Sequence, residues 1–334
     1  MTLIQIRGLG YFMRIFISGT AGFIGFHLAK RLLDEGHTVF GIDNFNDYYS
    51  LSLKHDRHTQ LEGRENYAWQ KCDLADMESL KAVVEAFKPD CVVNLAAQAG
   101  VRYSISNPHV YQSSNLEGFL NILECCRHAP SKPRLVFASS SSVYGGNTEL
   151  PFSEAQSVDT PISLYAATKK ANELMAHCYS HLYGMQTIGL RFFTVYGPWG
   201  RPDMAMWLFA DAMLKDKPIK VFNNGEMHRD FTYVDDIVSG IVGCITGMKL
   251  KQYEIFNIGN HRSEKLMDMI GLIAAELGVD DPQMEFLPMQ DGDVPSTYAS
   301  IDRLHAAVGY EPTTPISIGV PKFINWFKEY GEKY

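Results

Sequence analysis

The sequence predicts an α/β fold, a doubly wound parallel sheet carrying a smaller interleaved α/β lobe. Short β-branched or apolar runs recur along the chain with helical stretches between them, which is the pattern of βαβ units. A turn with glycines three apart, GTAGFIG, follows the first such run. Asp43 ends the second run, near the ~20-residue distance at which dinucleotide-binding sheets place a ribose-binding acid.

In chain order the strand-like runs are RIFISG from Arg14, TVFGID from Thr38, a run ending in KCDLAD, CVVNLA from Cys91, RLVFASS from Arg134, TIGLRFF from Thr187 and EIFNIG from Glu254. Between the first two, Phe26, Leu28, Ala29, Leu32 and Leu33 form a helical stripe that can pack on a sheet, and Gly36 stops the helix. One βαβ unit therefore spans Arg14 to Asp43. Beyond residue 197 the texture changes to the turn-rich GPWGRPDM, a helix around Trp207 to Leu214, a strand-like IKVFNNG, and a tail from His261 punctuated by Pro282, Pro288, Pro295, Pro312 and Pro315. The expected division is a Rossmann-type cofactor domain, 13–196 plus 233–259, and a second lobe, 197–232 plus 260–334. Met13 directly precedes the first strand-like run, so residues 1–12 read as an N-terminal extension.

Composition narrows the function classes. At 334 residues, 46% hydrophobic and 20% charged, the chain is long enough for a large core and too apolar for a disordered one. Its formal charge of -8 gives no basic field for a polyphosphate backbone, so nucleic acid is not an expected partner. No apolar run approaches the ~20 residues of a spanning helix, and no export signal is visible, so no membrane association is expected. Cys72, Cys91, Cys125, Cys126, Cys178 and Cys244 lack the dense spacing of a disulfide framework or a metal clip. A reducing, cytoplasmic setting and no metal are expected.

Gly19, Gly22 and Gly25 stand where strand meets helix, so absent side chains let backbone amides approach a pyrophosphate at the positive end of the helix. An acid at Asp43 accepts from both ribose hydroxyls and repels a 2'-phosphate, which favours NAD over NADP; Lys54 and Arg57 nearby are the countervailing cations. Asp73 and Leu74 read either as an adenine clamp or as a helix N-cap. Leu95, Ala96 and Ala97 place small residues where a strand exits toward a cofactor.

Tyr165 and Lys169 lie four apart in YAATKKANEL, on one helix face. A neighbouring ammonium is expected to lower the phenol's pKa and make Tyr165 a usable base, while Lys169 also bonds a nicotinamide ribose. Ser139 to Ser142 end the RLVFASS strand in a run of hydroxyls that reads as a ligand site or as a capped turn.

Together GTAGFIG, ASSSSVYG, YAATK and RDFTYVDD resemble the extended short-chain dehydrogenase/reductase superfamily, over about residues 13 to 334. Within its nucleotide-sugar epimerase branch, DNFNDYYSLSLKHDR, LAAQAGVRYS, RFFTVYGPWGRPDM and FNNGEMHRDFTYVDDI are most similar to UDP-glucuronate 4-epimerases. The resemblance implies NAD contacts from Gly19, Gly22, Phe23, Ile24, Gly25, Asp43, Asn44, Asp73, Leu74, Leu95, Ala96, Ala97 and Lys169, with Tyr165 as base and Ser140 as the catalytic hydroxyl. It further implies a UDP-sugar cleft formed by Ser141, Ser142, Thr194, Phe222 beside the uracil, Arg229 on the phosphates and 290–293. Family members often carry Thr at position 140 and His at position 94, where this chain has Ser140 and Asn94. Read from sequence alone, Arg229 would sooner pair with Asp230 at the surface. Arg201 can meet a sugar carboxylate bidentately or anchor its loop.

Related dehydratases place an acid pair in the serine region, and UDP-glucuronate decarboxylases place a Glu just before Val-Tyr-Gly. This chain has Ser142 there. UDP-glucose/galactose 4-epimerisation is the alternative, and a non-catalytic NAD-sensing module is the alternative from another class. Apolar stripes in Gln112 to Cys126 and Ala166 to Tyr183 resemble the family's dimer seam, which implies a homodimer.

Overall fold

The computed structural model describes residues 12–290 and 292–334; all of the expected 1–12 extension but Phe12 lies outside them. Seven parallel strands form the central sheet: β1 (Arg14–Ser18), β2 (Thr38–Asp43), β3 (Tyr67–Lys71), β4 (Cys91–Asn94), β5 (Arg134–Ser140), β6 (Thr187–Phe192) and, after further short strands, β11 (Tyr253–Ile258). Their order is β11-β6-β5-β4-β1-β2-β3. The chain winds outward from β1 through β2 and β3, then returns to β4 and winds the other way. The reversal between β1 and β4 opens a crevice at the carboxyl ends of both strands, where such sheets bind ligands.

Central strands read as continuous apolar runs because helices cover both faces. Ile15, Phe16 and Ile17 are fully buried. The Phe23–Asp34 and Val234–Thr246 helices pack together on one face. On the other, the Gly118–His128 helix lies against Met77–Phe87 and Leu164–Tyr183. Edge strand β3 leaves Ala68 through Lys71 exposed, as its weaker apolar pattern requires.

Helix ends follow local chemistry. Gly36 takes a φ of +87° directly after the first helix, as its stop signal predicts. Ser163 accepts from the amide of Ala166 to start the Leu164–Tyr183 helix, and Gly184, at φ +69°, ends it. The stretch expected as one helix from Gln112 is instead a π-helical segment, Gln112–Glu117, followed by the Gly118–His128 helix. Inside it, buried Asn115 bonds both backbone groups of Gln98, and its amide also reaches Thr168.

The remaining strands are β7 (Thr194–Tyr196), β8 (Ile219–Phe222), β9 (His228–Arg229), β10 (Phe231–Tyr233), β12 (Glu264–Lys265) and β13 (Met284–Leu287). They pair as β7 with β10, β8 with β13, and β9 with β12. The expected helix near Trp207 spans Ala205–Leu214. The late Asp302–Val308 helix packs back on β11, so the chain closes over the sheet edge before the final helix, Ile316–Tyr330.

Candidate active site

One cavity of about 670 Å³ runs along the crevice, and it brings together all the site residues expected from sequence between Gly19 and Arg229. Gly19 has φ +85°, and a Cβ on Gly25 would stand 2.0 Å from the carbonyl oxygen of Gly19. Only glycine fits that turn. The Phe23–Asp34 helix starts at Gly22, which has no side chain to cap it, leaving first-turn amides available to a phosphate.

The Asp43 carboxylate accepts from the amide of Ala21 at 3.1 Å and of Phe45 at 2.9 Å, which aims it across the turn. Neither nearby cation is free for a 2'-phosphate. Lys54 Nζ donates to the carbonyl and side-chain oxygens of Asn46, both at 2.6 Å, and Arg57 is fully buried among carbonyls. The N-cap alternative for Asp73 falls to Asp76, which accepts from Ser79 to start the Met77–Phe87 helix. Asp73 instead faces the cavity and accepts from Asn44 Nδ2 at 2.8 Å. Asn94 takes a hydrogen bond from Ser18 at 2.6 Å, and Ser18 accepts from the amide of Ala96 at 3.2 Å. This relay sets the Leu95–Ala97 backbone against the glycine turn.

The hydroxyl run is divided between two tasks. Ser139 points inward and donates to Glu173 at 2.7 Å. Ser140 caps the short turn that follows, accepting from the amide of Ser142 at 3.1 Å. Ser140 to Ser142 line the cavity beside Tyr165 and Lys169.

Lys169 does not lower the Tyr165 phenol as expected. Burial raises the phenol above its usual value, while the Ser140 hydroxyl and the more distant Arg201 pull back only in part. The Lys169 ammonium stands 6.0 Å from the Tyr165 ring centre and donates to the carbonyl of Ala138 at 2.9 Å. Its own pKa falls to about 8 because it is buried.

At the far end, Arg229 does not pair with Asp230. It reaches Asp293 at 2.6 Å. Asp230 is wholly buried and accepts from Thr232, Asn260, His261 and Ala299; burial pushes its pKa up to about 6 against those bonds. Of the expected stretch 290–293, Gly292 and Asp293 line the cavity and Gln290 does not, whereas Asp291 lies outside the described residues. Phe222 lies 5.6 Å beneath the Arg102 guanidinium. Arg201 lines the middle of the cavity, its Nε 3.0 Å from Asp203, which also accepts from Tyr48 at 3.1 Å. The sequence reading missed Tyr48, Arg102 and Asp203, although the first two lie within the quoted strings and GRPDM contains the third.

The doubly wound sheet, the glycine turn and a carboxylate at the end of the second strand define a dinucleotide-binding enzyme fold. The chain belongs to the NAD dependent epimerase/dehydratase family, whose model matches residues 15–259, and its cofactor is NAD. It is similar to Protein CapI of Staphylococcus aureus, at 50% identity over 96% of this chain and 100% of that protein. It is also similar to a probable UDP-glucuronate 4-epimerase of Rhizobium meliloti, at 44% identity over 95% of this chain and 97% of that one. Among solved structures, a UDP-glucuronic acid 4-epimerase from Bacillus cereus in complex with UDP-glucuronic acid and NAD superposes with a TM-score of 0.89, at 32% identity, covering 95% of this chain and 99% of that chain.

Proposed function

We propose that the chain inverts C4 of UDP-glucuronate to give UDP-galacturonate. The observation that carries this reading is the one cavity joining a glycine-turn end, the Ser140–Tyr165–Lys169 cluster and a guanidinium at Arg201, with no carboxylate in the hydroxyl run 139–142. The glycine turn and Asp43 hold the cofactor's pyrophosphate and ribose, Asp73 with Leu74 flank its adenine, and Lys169 meets the nicotinamide ribose. Bound NAD supplies the hydride acceptor, and later the donor, at C4.

The chain's own work is on the proton and the sugar's position. Tyr165, as the phenolate that the Ser140 hydrogen bond and the Arg201 charge favour against burial, takes the proton of the 4-hydroxyl and returns it after the 4-keto sugar has turned over. Phe222 and Arg229 grip the UDP handle, so the sugar alone rotates. The 4-keto acid is a β-keto acid, which loses carbon dioxide when the C5–carboxylate bond aligns with the carbonyl π system. Arg201, Ser141 and Ser142 hold the carboxylate near the carbonyl plane, and Thr194 bounds the sugar on its other side.

The reading further divides the chain into a cofactor domain, 13–196 plus 233–259, and a nucleotide-sugar lobe, 197–232 plus 260–334. It also takes the protein to be a cytoplasmic homodimer. All six cysteines are free, and none of the described helices is long and apolar enough to cross a membrane. The exposed Leu120, Leu174 and Leu182 supply the apolar seam. One observation favours a neutral substrate instead: Arg201 already faces Asp203, so UDP-glucose is the second reading. Incubation with UDP-glucuronate and UDP-glucose separately, with products resolved by chromatography, decides between them. Turnover of UDP-glucose alone would overturn the first reading.

A further inference from the structure

Arg57 is the largest fully buried side chain, and among the described residues no carboxylate pairs with it. A lone buried cation is costly unless dipoles surround it. Its fork meets oxygens on three separate segments. Nε and Nη2 donate to the carbonyl of Trp199 at 3.0 and 2.6 Å, and Nη2 also reaches the carbonyl of Gly200 at 2.9 Å. Nη1 donates to the carbonyl of Ala21, inside the glycine turn, at 3.0 Å and to the Tyr49 hydroxyl at 2.8 Å.

The neighbouring carbonyl, Pro198, is held from the other side by His27 Nε2 at 2.9 Å. Burial lowers the His27 pKa to about 4, so its ring is neutral and Nε2 carries the hydrogen that this bond requires. Three successive carbonyls, 198 to 200, are thus fixed by the buried Arg57 and the half-buried His27. The backbone between them is unusual: Trp199 has φ +60°, a conformation that a bulky residue keeps only when its surroundings impose it. The next residue along is Arg201.

We propose that Arg57 is a positioning residue that locks the 198–200 backbone to the phosphate-binding turn, so that binding of the cofactor and placement of Arg201 on the sugar reinforce each other. A bond from one guanidinium to Ala21 on one side and to Trp199 and Gly200 on the other leaves neither segment able to move alone. Any such coupling is reciprocal, so loosening it weakens both sites. The part concerning the sugar rests on the proposed UDP-glucuronate reading.

The test is a double-mutant cycle on the protein as purified, read as kcat/KM for UDP-glucuronate, together with NAD retained per chain after prolonged dialysis. Arg57→Lys keeps the charge but not the fork. It should lower kcat/KM roughly tenfold, mainly through KM, and shorten NAD retention by a similar factor. With NAD added to saturation, so that the cofactor side of the effect is removed from the assay, Arg57→Lys combined with Arg201→Met should be no worse than Arg201→Met alone within about twofold, because the sugar side of the effect runs through Arg201. A merely structural Arg57 would give additive losses, and that result, or wild-type NAD retention in Arg57→Lys, overturns the proposal. Wild-type protein that ignores UDP-glucuronate would overturn the functional reading, while NAD retention would still decide the role of Arg57. Should Arg57→Lys fail to fold by circular dichroism, His27→Phe removes only the bond to Pro198 and is read by the same kinetic cycle, in which additive losses with Arg201→Met overturn the proposal.

Discussion

Lys169 Nζ stands 6.0 Å from the centre of the Tyr165 ring and donates to the carbonyl of Ala138 rather than to the phenol. The two side chains share a helix face, but the lysine serves first to fasten that helix to the end of β5. Tyr165→Phe should therefore abolish epimerisation while leaving the fold and bound NAD intact, since the ring keeps its packing and loses only the proton acceptor. Cofactor content and product formation measured on the same preparation check this. Loss of NAD from the variant would make the ring a structural element.

Lys169 carries a pH prediction whose sign follows from its lowered pKa. Its folded value is about 8 against 10.5 for the free side chain, so between these the unfolded chain binds more protons. Stability contributed by Lys169 is complete above 10.5 and is lost as pH falls through about 8. Relative to Lys169→Met, wild-type protein should become more stable as pH rises across that window, by an amount on the order of 3 kcal/mol. Urea unfolding of both proteins at several pH values tests this, and parallel curves would refute it. Lys169→Met should also slow turnover at neutral pH, where the ammonium is charged.

The sheet was legible because strands buried on both faces carry continuous apolar stretches, as Ile15 to Ile17 do in β1, Cys91 to Val93 in β4 and Ile188 to Leu190 in β6. The glycine turn and Asp43 were legible because their chemistry is local. Arg57, His27 and Glu173 were not, since their partners lie 8 to 171 residues away and several are backbone carbonyls, which any sequence supplies. Asn115 was hidden for the same reason, and the π-helical turn that holds it has no composition of its own.

The ion pair beneath the hydroxyl run yields a stability prediction. Glu173 and Arg191 are almost wholly buried and meet through two bonds, at 2.8 and 2.9 Å, while Ser139 donates to the same carboxylate. Glu173→Gln strands a buried guanidinium, which costs about 3–5 kcal/mol. Pairing Glu173→Leu with Arg191→Met removes both charges and should recover much of that loss in denaturant melts. A double variant as unstable as the single would mean that the pair itself, not the orphaned charge, carries the stability.

Asp43 bonds two amides of its own chain as well as facing the ribose position, so its replacement acts twice. Asp43→Ser should release NAD during dialysis by loosening the Ala21 turn and removing the ribose acceptor. Discrimination against NADP should weaken only modestly, because Lys54 and Arg57 are already engaged and cannot turn to a 2'-phosphate. Titrating cofactor-stripped protein with each dinucleotide measures both effects. Unchanged NAD affinity would assign the ribose to another residue.

Arg201 separates the two substrate readings. Burial alone would lower its pKa, yet Asp203 and then Tyr48 hold it charged, and burial's upward pull on the Asp203 carboxyl is outweighed by Arg201. The guanidinium is thus charged, and it presents to the cavity whatever donors Asp203 leaves free. A charge-assisted bond from it to a sugar carboxylate is worth about 1.5–3 kcal/mol, or one to two decades in rate or affinity. Arg201→Met should lower kcat/KM for UDP-glucuronate by that much and leave any trace activity on UDP-glucose nearly untouched, because the neutral sugar has no carboxylate to lose. If the same contact keeps the C5–carboxylate bond out of line with the keto group, carbon dioxide and a pentose product should accompany the slower turnover. Asp203→Asn, which removes the competing carboxylate, should shift the KM for UDP-glucuronate downward. Equal losses on both sugars in Arg201→Met would make this arginine an anchor for its loop and leave the carboxylate to Ser141 and Ser142.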